Sequence, residues 1–243
     1  MIRLHTFIDC LPGTPDPSGF VVKLMTVLRL AGVGHERVEV GNPAIGPKGK
    51  VPFITEGNVT LGDTALILAY LKETRGIDLD RHLTPIQMAQ SHALQRMLEE
   101  RLYWAIVYSR WMEPANAHIE NEIFFADIPW PIRGFIARKA HKSVEAALHH
   151  HGLGRHTREE IYGFGTADIH ALSEILGNNA FLFGSEPSVA DATAFGMLIN
   201  IAGPDIPSPL KDAVNADPRL VAYVHRMQLL FNNAAPRDIR QAA

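Results

Sequence analysis

Residues 46–71 read GPKGKVPFITEGNVTLGDTALILAYL. Two short apolar runs, 51–55 and 59–61, flank Glu56-Gly57-Asn58, a combination that predicts a β-hairpin. Proline is a poor strand residue because its ring fixes φ and it has no N–H for the hydrogen-bond ladder. Pro52, second in the first run, therefore indicates a point where the ladder stops.

The sequence around this stretch has the pattern of a small α/β unit. Residues 2–8 are an apolar-rich run suited to a buried strand, and 9–17 form a loop by composition, with three prolines and a glycine. Helical spacing covers 20–31, and 37–40 is suited to a further strand. With the hairpin and the helical repeat over 65–72, the predicted order is β-α-β-β-β-α. The predicted unit is about as large as thioredoxin.

The rest of the chain is predicted to be all-helical. Long helical patterns are separated by clusters of Gly and Pro, and they cover 84–113, 131–151, 157–178, 189–202 and 217–233. No strand pattern and no internal repeat is visible there. Residues 76–83 are the predicted linker, so the fold class is α/β plus all-α.

Composition and charge limit the kinds of partner. The chain has 243 residues, 47% of them hydrophobic, and a net charge of -3. Its Lys and Arg residues are scattered singly, which argues against nucleic acid or an anionic membrane as the main partner. The first ten residues, MIRLHTFIDC, lack the apolar core of a signal peptide, and no apolar run approaches the roughly 18 residues of a membrane span. We expect a soluble, cytoplasmic protein.

Three motifs in order resemble the cytosolic glutathione S-transferase superfamily. Residues 50–54 (KVPFI) are similar to its strand that opens with a cis-proline, and 62–71 (GDTALILAYL) to its acidic-Ser segment and following helix. Residues 188–191 (SVAD) resemble the capping box of its core helix, a role in folding rather than chemistry. Within the superfamily, 17–24 and 99–111 are most similar to the metaxin-related "failed axon connections" branch.

This resemblance implies a thioredoxin-like, glutathione-binding domain over 1–76 and an all-helical domain over 84–243 that lines a pocket for an electrophile. It also implies a homodimer and a cis bond between Val51 and Pro52. A cis X-Pro bond is uncommon and usually deliberate. Here it would turn the backbone of Val51 outward to pair with the main chain of glutathione, a small-scale form of strand addition.

Asp63 and Thr64 open the second predicted helix. Either residue can simply cap that helix. By the resemblance, the helix N-terminus would bind the γ-glutamyl carboxylate, with the Thr64 hydroxyl in place of the family's usual serine, and Asp63 would pair with the α-ammonium. Lys50 would reach the glycyl carboxylate, and its alternative is a solvated surface lysine.

Ser18 is the candidate for stabilising the glutathione thiolate. The family places a Tyr, Ser or Cys at the N-terminus of its first helix, and Pro17-Ser18-Gly19-Phe20 resembles the Ser-Pro-Phe of serine-type members. A hydroxyl donor is needed because a free thiol has a pKa of about 8.5 and only its thiolate attacks. The alternative role of Ser18 is that of a helix N-cap.

Cys10 is the rival of Ser18. It is the single cysteine of the chain, so an intrachain disulfide and a Cys-x-x-Cys pair are both impossible. It follows the first strand, however, and could form a mixed disulfide with glutathione. Eight residues separate it from the helix start, and the loop over 9–17 is longer than most family members carry. A lone cysteine in a loop or core is the alternative.

Two further clusters need an assignment. Residues 149–151 are consecutive histidines, which face different ways on a helix and so do not form a closed metal site. The aromatic stretch over 103–111 has a helical face typical of core. By the resemblance, Tyr103, Tyr108 and Trp111 would be walls of the electrophile pocket.

The function predicted from the sequence is a glutathione-dependent transferase acting on a small apolar electrophile, with glutathione as co-substrate, no metal and no nucleic acid. Two alternatives stay open. The fold is retained as a non-catalytic binding or assembly module, as metaxin-related members suggest, or the chain is a thiol oxidoreductase that acts through Cys10.

Overall fold

The computed structural model describes residues 1–8, 11–125 and 128–234, without the side chains of 117, 118 and 120–122. Its N-terminal part contains a four-stranded sheet in the order β2-β1-β3-β4. The strands are β1 (Ile2–Thr6), β2 (His35–Glu39), β3 (Phe53–Glu56) and β4 (Val59–Gly62).

The hairpin and the sheet edge follow from the opening stretch. β1 pairs in parallel with β2 and antiparallel with β3, and β3 and β4 form the predicted antiparallel hairpin. The bond between Val51 and Pro52 is cis, as predicted. The pairing of β3 begins at Phe53, two residues later than the predicted strand, because the ladder starts only after the proline.

Two helices pack with this sheet, α1 (Gly19–Leu30) and α2 (Thr64–Arg75). α2 ends at Gly76, whose φ of 66° is the left-handed conformation that glycine adopts most easily. Nearly all of α1 is buried, since it lies between the sheet and the helical part of the chain.

The remaining described residues form helices and no strand of the sheet, so the predicted fold class is confirmed. The helices are α3 (Pro85–Met97), α4 (Tyr103–Trp111), α5 (Pro114–Phe124), α6 (Trp130–His151), α7 (Arg158–Leu176), α8 (Val189–Ala202), α9 (Pro209–Asn215) and α10 (Pro218–Asn233).

Three details differ from the sequence prediction. The single helix predicted over 84–113 is divided by a π-helical turn, Leu98–Leu102, into α3 and α4. Helices α5 and α9 lie outside the predicted helical patterns; each begins with a proline, and Pro209 belongs to a Gly and Pro cluster that indicated a break between helices. Proline is well accepted in the first turn of a helix, where its missing N–H has no intrahelical partner to lose.

The two parts of the chain meet where α1 packs on α8. Glycines allow this approach: a Cβ added at Gly19 would lie 3.0 Å from the carbonyl oxygen of Gly196, and one added at Gly196 would overlap the carbonyl oxygen of Gly19. α8 is almost entirely buried and is capped as predicted, since Ser188 and Asp191 form a reciprocal capping box.

Candidate functional site

Two adjoining cavities lie along the junction between the sheet and the helices. One, of about 400 Å³, is lined by charged side chains and by the segment around the cis-proline. The other, of about 370 Å³, is mainly apolar. Four residues line both cavities, so the cavities open onto each other there: Phe7, Ser18, Pro43 and Tyr103.

The polar cavity brings together most of the residues chosen from the sequence. Val51, Pro52, Asp63 and Thr64 all line it, and Lys50 lies at its exposed rim. Val51 precedes the first paired residue of β3, so its backbone lies at the point where the ladder ends. These five residues come from a turn, a strand start and a helix start that the hairpin folds side by side.

Asp63 caps α2. Its Oδ1 accepts hydrogen bonds from the amides of Ala65, at 2.9 Å, and Leu66, at 3.2 Å. Its φ of 82° is unusual for a residue other than glycine, although Asp tolerates this region better than most. Within the part of the chain that the structure describes, no hydrogen bond involves Oδ2. The cap thus occupies one carboxylate oxygen, and the exposed side chain has a second one to offer a ligand.

Ser18 is the N-cap of α1 and lies where the two cavities meet. Its Oγ accepts a long hydrogen bond, 3.4 Å, from the amide of Val21. A serine hydroxyl has one donor hydrogen and two lone pairs. Capping uses a lone pair, so the same hydroxyl can cap the helix and donate to a sulfur anion.

The loop before Ser18 is fixed by a buried carboxylate that the sequence analysis missed. Asp16 is fully buried, and its Oδ1 accepts a hydrogen bond from the Ser18 amide at 2.8 Å. Its Oδ2 lies 3.1 Å from the guanidinium of Arg37 on β2, which also donates to the carbonyl oxygens of Phe7 and Pro15. A loop that looked irregular by composition is therefore held by charge-assisted hydrogen bonds.

A second cation, this one buried, fixes the same loop from the helical side. Arg110 on α4 donates to the carbonyl oxygen of Pro17, at 2.7 Å, and to the backbone and side-chain oxygens of Asn200. Asn200 in turn donates to the carbonyl oxygen of Asp16. The composition of the loop contains no signal for these contacts, because the partners lie 90 or more residues apart in sequence.

A buried ion pair joins Lys23 to Glu99, 2.6 Å apart, and Glu99 lines the polar cavity. Burial lowers the pKa of the Lys23 ammonium, an effect that the neighbouring Glu99 carboxylate opposes. Glu99 belongs to the π-helical turn and also pairs with Arg96, which lines the cavity. Inserted π-turns of this kind often occur at functional sites.

The aromatic stretch divides between cavity and core. Tyr103 and Trp111 line the apolar cavity together with Val107, as the spacing i, i+4 and i+8 on one helix face requires. Tyr108 is not among the lining residues of either cavity; its ring packs edge-on against Tyr162, with centroids 5.9 Å apart. Five positions after Tyr103, it lies about 140° around the helix from that residue. Burial raises the pKa of the Tyr103 phenol, with Arg110 opposing the change.

Three expectations concern metals, membranes and Cys10. Cys10 lies outside the described residues. In the described part of the chain, no group of three or more His, Cys, Asp or Glu side chains is arranged to hold a metal ion. A search of the same residues finds no helix with the length and apolar character needed to cross a bilayer.

Comparison with known proteins finds two family models that match consecutive parts of the chain. The family model described as "Glutathione S-transferase N-terminal domain" matches residues 19–116, and "Glutathione S-transferase, C-terminal domain" matches 165–227. Among solved structures, a glutathione S-transferase of Ceriporiopsis subvermispora in complex with glutathione superimposes with a TM-score of 0.61 at 19% identity, covering 98% of this chain and 99% of that one. At this identity the superposition concerns the fold.

Curated relatives fall into two groups. The Isoprene-epoxide–glutathione S-transferase of Rhodococcus sp. (strain AD45) is 31% identical over 96% of this chain and 100% of its own length. Failed axon connections of Drosophila melanogaster is 33% identical over 94% of this chain, which spans 57% of that longer protein. Human Metaxin-2 is 27% identical over 75% of this chain and 70% of its own length.

Proposed function

The chain belongs to the glutathione S-transferase family, and from that premise we propose that it conjugates glutathione to a small apolar electrophile. The observation that carries the proposal is the place of Ser18 at the junction of a polar and an apolar cavity. A thiol held beside Ser18 in the first cavity faces an electrophile held in the second.

In the proposed complex, glutathione lies in the polar cavity. The N-terminus of α2, with Thr64, receives the γ-glutamyl carboxylate, since free N–H groups and the helix dipole favour an anion there. The second carboxylate oxygen of Asp63 pairs with the α-ammonium. Lys50 meets the glycyl carboxylate, and the backbone of Val51 pairs with the main chain of the tripeptide.

The proposed reaction is a thiolate addition or displacement. The thiol proton passes to solvent, and the Ser18 hydroxyl donates a hydrogen bond to the resulting sulfur anion. Sulfur forms a bond to the electrophilic carbon while the bond from that carbon to its leaving atom breaks with the electron pair. Burial raises the pKa of the Tyr103 phenol, so the phenol stays protonated and can donate a hydrogen bond to the leaving atom, which now carries the electron pair. Orientation in the shared cleft and a larger thiolate fraction supply most of the rate.

Retention on glutathione resin and conjugation of a model aryl halide test the proposal, with Ser18→Ala as the decisive variant. Loss of one hydrogen bond to an ionised sulfur costs roughly 1.5–3 kcal/mol, so turnover at neutral pH is expected to fall about tenfold or more while retention is kept. The pH at which the activity of the variant rises should also move upward, because the thiolate has lost a stabilising hydrogen bond. Ser208→Ala is the matched control, because the Ser208 hydroxyl likewise accepts from the amide three residues on, at the start of α9, and lies outside both cavities.

Two outcomes contradict the proposal in different ways. If Cys10→Ala abolishes activity and Ser18→Ala leaves the rate and pH profile unchanged, the chain is a thiol oxidoreductase. A glutathione adduct on Cys10, removed by reduction and seen by intact mass, would support that reading. If the wild-type chain neither binds nor conjugates glutathione, it is a binding or assembly module. The similarity to Failed axon connections and Metaxin-2, whose names mention no glutathione, favours this second candidate.

The proposal extends to organisation. Residues 1–76 form the glutathione-binding domain, and 84–243 form the helical domain that lines the electrophile pocket. The protein is a cytoplasmic homodimer. Light scattering on the purified full chain tests the dimer.

A further inference from the structure

The first turns of α6 expose large apolar side chains. Trp130, Ile132 and Phe135 are 84%, 50% and 66% exposed. Ordinary surfaces carry such residues singly, whereas neighbouring exposed aromatic and aliphatic side chains indicate an interaction surface. No other helix start among the described residues exposes a tryptophan and a phenylalanine together.

Three cations lie on the same side of α6 as Ile132 and Phe135. Arg138, Lys139 and Lys142 follow Phe135 at i+3, i+4 and i+7, which places all four on one side of a helix, and all four are exposed. Residues 128–144 contain no Asp or Glu. None of these three cations forms an ion pair with another residue in the ranges that the structure describes.

The opposite side of α6 faces the protein. Ala137 and Leu148 are buried, and Ala140 lines the apolar cavity. The helix thus has one side packed on the fold and one side that combines aromatic rings with lysine and arginine. Tryptophan and phenylalanine beside a basic polar face are typical of helices that lie in a bilayer interface.

We propose that this outward face of α6, defined by Ile132, Phe135, Arg138, Lys139 and Lys142, docks on an anionic lipid bilayer together with Trp130, which is exposed at the start of the helix. The apolar side chains enter the boundary between headgroups and acyl chains, and the cations meet the lipid phosphates. A second copy of the chain fits less well, because a two-fold contact would bring the same three cations against each other.

Along the sequence, Lys and Arg are scattered singly, which argues against an anionic membrane as the main partner. That reasoning fails here, since helical periodicity gathers residues three and four apart onto one face. The inference does not depend on the proposed transferase activity. Docking requires only the folded chain and the exposed face of α6.

Sedimentation of the full chain with equimolar phosphatidylcholine–phosphatidylglycerol vesicles tests the proposal, with phosphatidylcholine vesicles as the neutral comparison. We expect binding to the anionic vesicles that weakens as salt is added, because salt screens charges at the surface. Tryptophan emission should shift to shorter wavelength on binding, and Trp130→Phe should lose most of that shift although Trp104 and Trp111 remain.

Two variants separate the apolar and charged contributions. Phe135→Ser is expected to lower the association constant about tenfold through lost apolar burial. Lys139→Glu should lower it about fivefold or more, from the contribution of one lysine near an anionic surface. The matched controls change exposed residues elsewhere: Leu229→Ser on α10 and Arg81→Glu before α3 should bind as wild type.

The proposal is overturned if the wild-type chain stays in the supernatant with anionic vesicles at low salt. It is equally overturned if Phe135→Ser and Lys139→Glu bind like their controls. If light scattering shows that these two variants convert a dimer to monomers while vesicle binding is unchanged, the face belongs to a second copy of the chain. Because all substituted side chains are exposed, thermal melts should show that each variant folds.

Discussion

The amide of Ser18 donates a hydrogen bond to the fully buried carboxylate of Asp16, 2.8 Å away. The same carboxylate pairs with Arg37, so the N-terminus of α1 is tied to strand β2 through a single side chain. The hydroxyl proposed to hold the thiolate is therefore fixed by a residue that does not line either cavity.

Asp16→Ala tests this tie. Removing one partner of a buried ion pair leaves the other uncompensated and typically costs about 3–5 kcal/mol, which partial exposure of Arg37 should reduce to about 2–3 kcal/mol. Glu39→Ala is the matched control, because exposed Glu39 also pairs with Arg37, at 3.8 Å, and surface pairs contribute about 0–1 kcal/mol. Urea unfolding measures both. Equal losses would contradict the role given to Asp16.

Asp63→Asn separates the cap from the charge. Asn keeps an acceptor for the amides of Ala65 and Leu66 and tolerates the positive φ, so the free energy of unfolding should change by only a few tenths of a kcal/mol. Loss of the negative charge should raise KM for glutathione about fivefold to tenfold with little effect on kcat, because the contact is equal in ground and transition states. Steady-state kinetics would contradict this assignment if kcat falls and KM is unchanged.

Ser188→Ala should cost more than Thr84→Ala, although both residues form capping boxes. Ser188 and its partner Asp191 are buried, and Asp191 also accepts hydrogen bonds from the Leu182 amide and the Tyr223 hydroxyl. We expect about 2 kcal/mol for Ser188 and about 0.5 kcal/mol for exposed Thr84, the two ends of the range for N-caps. Neither change should alter retention on glutathione resin. A stable Ser188→Ala variant that fails to bind would disprove the purely structural role.

Stability should depend on pH through Asp217. Hydrogen bonds from Ser173, and then from Arg219, lower the pKa of this carboxyl to about 2. A depressed pKa stabilises the fold above the unfolded value of about 3.9, and that contribution is lost as pH falls toward 2. Asp217→Asn should therefore cost about 1 kcal/mol at pH 7, after allowance for solvent exposure, and the difference should shrink below pH 4. Chemical unfolding at several pH values measures it, and a difference independent of pH would refute it.

Local pattern accounts for the elements whose cues are local. The hairpin followed from Glu56-Gly57-Asn58 between apolar runs, and α8 from its apolar helical pattern and capping box. The cis bond at Pro52 followed from the resemblance of one short stretch. The missed helices, α5 and α9, show that a proline is not always the end of a helix. Proline breaks a helix when it lies in the interior, but it is well accepted in the first turn.

The contacts that complete the candidate site had no local cue. Lys23 and Glu99 are 76 residues apart, and Arg110 and Pro17 are 93 apart. Each residue alone reads as an ordinary polar position, because charge says nothing about burial until the fold brings its partner close. Tyr108 is a different case: its place about 140° around α4 from Tyr103 follows from helical spacing alone, so the sequence did contain the cue that separates it from the cavity wall.

The crossing of α1 and α8 at Gly19 and Gly196 has an evolutionary consequence. A Cβ at position 196 would overlap the carbonyl oxygen of residue 19, which is present whatever the side chain there, so the path of the α1 backbone in one half of the chain requires glycine at position 196 in the other half. Consider a chimera of this N-terminal half with the helical half of a relative that has alanine at the Gly196 position. The added Cβ would push α1, and Ser18 with it, away from α8. Recombination between family members is therefore constrained at the crossing of α1 and α8.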